Sequence, residues 1–311
     1  NQLQGFQDQG QYWDAWNIDP NYTQYPLAST QLKAIQTIEQ GSVQSRIRVI
    51  RRLGNSEFCQ DYSLQVGSPL VKIVTMVDWQ ETHVLVKAAF PVNLNSDYAT
   101  YEIPCGAIQR PTQPQTATDK AKWEVPALHW ADLTDHTQNY GVSLLNDCKY
   151  GYDSQSDQLR LTLLRSPRWP DPTADIGKHQ FSYALYPHTG SWQAARTVHR
   201  GYEFNFPLQV FSPKTSESDI TQALPAVKQF LQLAAENLIL MAFKPSEDEP
   251  NQWILRCYEC QGEEAEMALE NDLGLTVTHS VDLLERVVPS PVTVKPWKIV
   301  SVGLEKLTLQ Q

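Results

Sequence analysis

The sequence has no apolar run of the roughly 20 residues a membrane-spanning helix needs, and no signal peptide at its start. Anchoring in a membrane is therefore not expected. Cysteine is scarce: five residues, at positions 59, 105, 148, 257 and 260 of 311. An odd, scattered set is no disulfide framework and fits a reducing compartment, the cytoplasm. Cys257 and Cys260 have CxxC spacing, but no second pair exists to complete a four-thiolate site. They read as ordinary strand cysteines. The seven histidines show neither HxH nor HExxH spacing, so no metal site is legible from them. Positive charge is also short, with 25 Lys and Arg against 35 Asp and Glu, a net charge of -10. That excludes nucleic acid and anionic membrane as expected partners, because both need clustered cations. The only basic cluster, Arg46, Arg48, Arg51 and Arg52, alternates with Ile47, Val49 and Ile50 as on the wet face of a strand. A helical period is missing over most of the chain, and strands do not alternate with helices, which excludes an α/β fold.

Short β runs are present instead. Hydrophobic residues make up 41% of the chain, enough for a sizeable core. Nine Trp and thirteen Tyr suit sandwich cores, and also sugar clefts in which a ring stacks on a pyranose. Strand patterns occur at SRIRVIRRL, PLVKIVTMVDW, THVLVKAAFPVNL, KWEVPALHWADL, YGVSLLND, LRLTLLRS, HQFSYALYPH and YEFNFPLQVF. Residues 104–122, rich in Pro, Thr and Gln, read as a long loop. Residues 211–222 read as a linker, and ITQALPAVKQFLQLAAEN can form a short helix starting near Pro225. The remainder, with NLILMAFKP, QWILRCYEC, LGLTVTHSVDLL and PVTVKPWKIVSVGL, reads as a second, smaller β unit. The expectation is an all-β protein with a large domain over 1–215, then a linker or short helix and a small β domain over 216–311.

Polar residues crowd between Tyr140 and Gly190, and this run carries a resemblance. YGVSLLNDCKYGYD, LRLTLLRSP and ALYPHTG resemble the C-terminal region of glycoside hydrolase family 38, the α-mannosidases, in the branch of cytosolic, vacuolar and bacterial type. QYWDAWNID at 11–19 resembles a tryptophan-rich motif that follows the family's catalytic half. FPVNLNSDYATYEIPCGAIQRPT at 90–112 resembles a family strand and loop ending in R-P-T. ENLILMAFKPSED, WILRCYE, DLLER and KPWKIVSVGL resemble its last small β domain. The resemblance implies a β-supersandwich similar to galactose mutarotase, followed by a small β-sandwich unit. It also implies that catalysis lies on an N-terminal barrel holding zinc and an Asp nucleophile. No part of that barrel is recognisable here, and the chain opens on Asn1-Gln2, like a piece of a longer polypeptide. Zinc is thus expected in the other half and no cofactor in this chain. A mannose-containing oligosaccharide and the barrel, in cis, are the expected partners.

The resemblance implies that loops of this region help line the sugar site. It points to Arg165, at the end of LRLTLLRSP, as the residue nearest the sugar; a guanidinium is permanently charged and offers several donors to hydroxyls. The alternative is an Arg paired with Asp171 or Asp175 to hold the next loop. Trp13, Asp14, Asn146, Asp147 and Lys149 are further lining candidates, though Asn-Asp is also common turn chemistry. Arg110, Trp16, Asp175 and His179 are candidates for contact with the barrel. A retaining glycosidase needs two carboxyl groups about 5–5.5 Å apart. Asp147, Asp153, Asp171 and Asp175 are the local carboxylates, and spacing alone marks each as a turn acid. Two other functions stay open: a stand-alone carbohydrate-binding module or trans-acting subunit, and an aldose mutarotase-like enzyme using His179 or His188 with a carboxylate.

Overall fold

The computed structural model describes residues 1–10, 13–211, 225–289 and 293–306. They form two compact units, one over 1–103 and 108–206, the other over 104–107 and 207–311. Both are built almost entirely of antiparallel strands.

In the first unit the strands are β1 (Gln2–Gln7), β2 (Gln31–Gln40), β3 (Gln44–Leu53), β4 (Ser56–Gln65), β5 (Val71–Trp79), β6 (Val84–Pro91) and β7 (Tyr98–Ile103). They continue with β8 (Gly106–Pro111), helix α1 (Ala117–Lys120), β9 (Val125–Pro126), β10 (Trp130–Asp135), β11 (Tyr140–Asn146), β12 (Gly151–Gln155), β13 (Gln158–Leu164), β14 (Gly177–Thr189) and helix α2 (Thr197–Asn205). One sheet has nine strands in the order β2-β3-β4-β5-β14-β11-β10-β7-β8; the other has five, β1-β6-β13-β12-β9.

Side-chain alternation explains why the two sheets face each other. On β6, Val84, Val86, Ala88 and Phe90 point into the core between the sheets, where they meet Phe58, Ile73 and Val77 of β4 and β5, Leu133 of β10 and Tyr183 of β14. The intervening Leu85 and Lys87 therefore point to the other side of the small sheet, and they too are fully buried. What buries them is the segment between β1 and β2: Ile18 and Tyr22 pack with Phe6 and Leu85 in a separate apolar cluster. Helix α2 covers the outer face of the nine-stranded sheet, where Trp130 and Trp192 lie 5.0 Å apart. Under it Asp132 accepts from Ser143 at 2.7 Å and lies 2.8 Å from His188 Nε2. Gly141 has to be glycine, because a Cβ there would sit 2.3 Å from His188 Cε1.

The second unit holds β15 (Leu231–Leu233), β16 (Leu238–Pro245), β17 (Gln252–Glu259), β18 (Ala265–Glu266), β19 (Leu269–Asn271), β20 (Leu275–Val281), β21 (Val287–Val288), β22 (Thr293–Val294) and β23 (Ile299–Lys306). Its main sheet runs β16-β17-β23-β20-β21, with short ladders β15-β19 and β18-β22. Leu238, Leu255, Cys257, Val302 and Leu304 anchor its core. Cys257 is buried in that core and its thiol is pushed up to about 11 by desolvation, as fits a strand cysteine.

Four local expectations change. YEFNFPLQVF is not a strand: Tyr202–Asn205 is the end of α2. Its alternating aromatics mimic period 2, but Thr197, Val198 and Gly201 are buried at helical spacing, and Gly201 sits close against Trp130. The 104–122 stretch carries the edge strand β8 and helix α1, whose N-cap Thr116 accepts from the Asp119 N–H at 3.0 Å. The short helix placed after Pro225 is absent from its described part, where Leu231–Leu233 is strand β15; residues 220–224 of it, and most of the expected linker, lie outside the described residues. The arginines of β3 do not share one wet face: on this unbulged strand Arg46, Arg48 and Arg52 point one way and Arg51 the other, and Ile47 is itself exposed; Arg48 is bidentate to Asp61 at 2.7 and 2.8 Å.

Candidate functional site: a clamped tryptophan loop

Between β1 and β2 the chain crosses the outer face of the five-stranded sheet, and three side chains distant in sequence pin it there. Arg165, just after β13, donates from Nε to the buried Asp8 carboxylate and from Nη2 to the Asn17 carbonyl. Trp123 Nε1 donates to the Ile18 carbonyl at 3.3 Å. Arg160 of β13 donates to the Tyr22 hydroxyl at 3.0 Å. Asp8 closes the loop on itself by accepting the Asp19 N–H at 2.9 Å.

The Arg165 end is a convergence of turns. Asp175 accepts the backbone N–H groups of Arg165 and Ser166 at 3.2 and 2.9 Å. Asp14 accepts those of Arg168 and Trp169 at 2.6 and 3.2 Å. His83 Nε2 lies 3.3 Å from the same Asp14 oxygen. The His83 N–H donates to the Ser166 carbonyl at 2.9 Å, and the Trp79 indole N–H donates to the Ser166 hydroxyl. Trp13, His83, Ser166 and Asp175 all have positive φ, between 50° and 64°. Four such non-glycine residues in one place mark a backbone held against its preference, a pattern that concentrates at functional surfaces.

What this framework exposes is aromatic. Trp13 and Trp16 are each 67% exposed and Trp169 51%. Their ring centroids lie 5.8 Å (Trp13 to Trp169) and 5.6 Å (Trp16 to Trp169) apart. Exposed indoles on a braced loop are costly in water and suited to stacking on a sugar or on another protein surface. The carboxylates here are already occupied: Asp8 by Arg165, Asp175 by two backbone N–H groups, and one Asp14 oxygen by two more. The exposed ring faces are therefore what this arrangement offers for binding.

The predicted residues divide accordingly. Trp13, Asp14, Trp16, Arg165 and Asp175 come together here. Arg165 does so as a clamp, its side chain 11% exposed, and its carboxylate partner is Asp8 rather than Asp171 or Asp175. Asp171 instead accepts from Thr173 in its own turn. His179 packs beneath, Nε2 2.7 Å from the Asp175 carbonyl. Asn146, Asp147 and Lys149 do not join them. Asn146 pairs with Tyr183, six residues along β14 from Gly177, or roughly 20 Å at 3.3 Å per residue. It is fully buried, donating to Leu128 O at 2.6 Å and Tyr152 OH at 2.7 Å and accepting the Lys149 N–H at 2.8 Å. Asp147 accepts the Ser182 N–H at 2.8 Å, and the Lys149 ammonium lies 4.6 Å from the Phe181 ring centroid. Arg110 lines a separate cleft. His179 and His188, odd and even positions of one unbulged strand, point to opposite sheet faces, so they share no cleft. Gln11 and Tyr12 of the tryptophan motif lie outside the described residues. Asp8, His83 and Trp169 were missed; only the W-P-D-P turn at 169–172 hinted at the last. Among the described residues no group of three His, Cys, Asp or Glu is placed to hold a metal ion. Among them, too, no helix is long and apolar enough to cross a membrane.

The folded chain is thus an all-β sandwich protein with a braced aromatic surface loop. Residues 1–173 match the glycosyl hydrolases family 38 C-terminal domain, and residues 237–302 the family's C-terminal beta sandwich domain. The chain belongs to glycoside hydrolase family 38, as part of its C-terminal region. It is 38% identical over 300 residues to alpha-mannosidase 2C1 of Homo sapiens, covering 94% of this chain and 27% of that protein. It is 31% identical over 310 residues to an alpha-mannosidase of Saccharomyces cerevisiae, covering 92% of this chain and 27% of the relative. The chain therefore spans about a quarter of the length of these relatives. A solved alpha-mannosidase from Enterococcus faecalis shares the fold with a TM-score of 0.78 at 14% identity, over 97% of this chain and 38% of that one.

Proposed function

We propose that this chain is the non-catalytic C-terminal part of a retaining α-mannosidase, and that it supports a catalytic barrel and lends one wall to its sugar site. The observation that carries this reading is the clamped loop. Three exposed indoles on a backbone braced by Arg165, Asp14 and Asp175 form a surface built for contact. The matched relatives are about four times longer, which leaves room for a catalytic part elsewhere in the same polypeptide. Zinc and the nucleophile belong, on this reading, to that other part. Trp13, Trp16 and Trp169 meet the barrel or the mannosyl substrate, and Arg165 acts through the loop it holds. The test is an aryl α-mannoside assay on the purified 311-residue chain with added zinc. No turnover is expected; saturable turnover would overturn the reading.

The same exposed indoles also fit a carbohydrate-binding module acting on its own. Titration with mannose oligosaccharides, read by tryptophan fluorescence, separates the two. Saturable binding lost in Trp16→Ala favours the module.

A further inference from the structure

The pinned segment also borders a 260 Å³ cleft, lined among others by Tyr22, Tyr101, Arg110, Lys120, Lys122 and Trp123. Its charges do not balance. Arg110, Lys120, Lys122 and Arg160 face it, against Asp119 and Asp153. Asp153 is neutralised from behind by Lys87 at 2.5 Å and by Arg160 at 2.7 Å. Asp119 is held by the Thr116 hydroxyl at 2.6 Å and by Lys122 at 3.6 Å. Arg110 and Lys120 have no ion-pair partner among the described residues, and Arg110 Nε is buried without a hydrogen bond. A buried N–H of a guanidinium with no acceptor is costly unless a ligand supplies one. In a chain of net charge -10, two surplus cations in one cleft favour an anion.

The remaining wall is suited to a ring. Trp123 is 37% exposed, and its indole N–H is fixed on Ile18. Tyr101 donates to Ser154 at 2.9 Å; burial pushes its hydroxyl up to about 12, so it stays neutral and does not oppose an anion. At 260 Å³ the cleft is below the roughly 300–1,000 Å³ of pockets for drug-sized ligands, so it has room for no more than a single sugar ring. We propose that this cleft binds one anionic monosaccharide, a pyranose bearing a carboxylate or a phosphate, with Arg110 holding the acid group and Trp123 packing on the ring. The cleft borders the same β1–β2 segment and shares Tyr22, Trp123 and Arg160 with its pins, but it does not include Trp13, Trp16 or Trp169 and does not rest on the reading above.

Isothermal titration of the 311-residue chain tests it, with mannose 6-phosphate and glucuronate as probes and mannose and inorganic phosphate as controls. At least one charged sugar binds saturably and about tenfold more tightly than either control; which of the two binds identifies the acid group. Arg110→Met weakens that binding about tenfold or more with no fall in thermal midpoint, because the side chain has no ion-pair partner to lose. Trp123→Ala weakens it as well. No saturable binding of either charged sugar at about 10 mM, binding unchanged in Arg110→Met, or phosphate alone binding as tightly as the sugar phosphate would each overturn the proposal.

Discussion

Lys87→Met is the sharpest perturbation of the first unit. The Lys87 side chain is fully buried on the outer face of β6, its ammonium bonded to Glu124 and, at 2.5 Å, to Asp153. Arg160 supplies the second cation, 2.7 Å from Asp153, and the Lys87 ammonium lies 5.1 Å from the Tyr22 ring centroid. Burial alone would lower the Lys87 pKa; the two carboxylates outweigh it and raise it above the ordinary lysine value. Replacing Lys87 by Met leaves two carboxylates facing one cation. Breaking such a pair from one side costs about 3–5 kcal/mol. At about 2–4 °C per kcal/mol for a unit of this size, the midpoint falls by roughly 6–20 °C at neutral pH. The orphaned Glu124, already pushed up by burial, can relieve the strain only by taking a proton. A carboxyl whose folded-state pKa is raised loses stability as pH rises above its unfolded value of about 4.3, so the deficit is larger at pH 8 than at pH 5.5. Lys87→Met/Glu124→Gln restores the charge balance and recovers more than half of the loss. Differential scanning calorimetry reads all three proteins. A midpoint shift under about 2 °C for the single variant, or a double variant no better than the single, would refute the reasoning.

Three further outcomes follow from the geometry. Gly141→Ala drives a methyl into His188 and disturbs the 2.8 Å His188–Asp132 contact, so overpacking lowers urea stability by about 1–3 kcal/mol; an unchanged midpoint would show that the sheet yields there at no cost. His129 Nδ1 lies 3.0 Å from the Glu102 carboxylate, which raises its pKa. Its contribution to stability is full below about pH 6.5 and fades as pH rises through its folded-state value; an NMR titration places that value above 6.5 and lower in Glu102→Gln, and no difference between the two would remove Glu102 as the cause. Asp135 accepts from Asn95, Thr137 and Gln138 and is held down to about 2. Its contribution is present above about pH 3.9 and lost as pH falls toward 2; Asp135→Asn therefore flattens the acid limb of the stability curve, and an unaltered limb would contradict the assignment.

The sandwich was readable because its strands obey simple alternation. β5, β6 and β11 lie within the strand runs read from the sequence, and β3, β13 and β14 extend past theirs by only one to three residues. Helix α2 was not readable, because Tyr202, Phe204 and Phe206 alternate like a strand, and the burial of Val198 and Gly201 against Trp130 comes from tertiary packing. The site was half legible. Arg165 and the tryptophans of the 13–16 turn stood out as chemistry-bearing residues. The partner of Arg165 did not, because Asp8 is 157 positions away and only the course of the β1–β2 segment brings the two together. Asn146 misled for a related reason: its turn chemistry is real, but it is spent inside the core on Leu128 and Tyr152.

The central claim is that Arg165 holds the loop that presents Trp13 and Trp16. Hydrogen–deuterium exchange on Arg165→Met tests it most directly. In the variant the amides of residues 14–19 are expected to exchange about tenfold faster or more, while those of β6 and β13 keep their protection. Unchanged exchange over residues 14–19, with the variant folded, would contradict it.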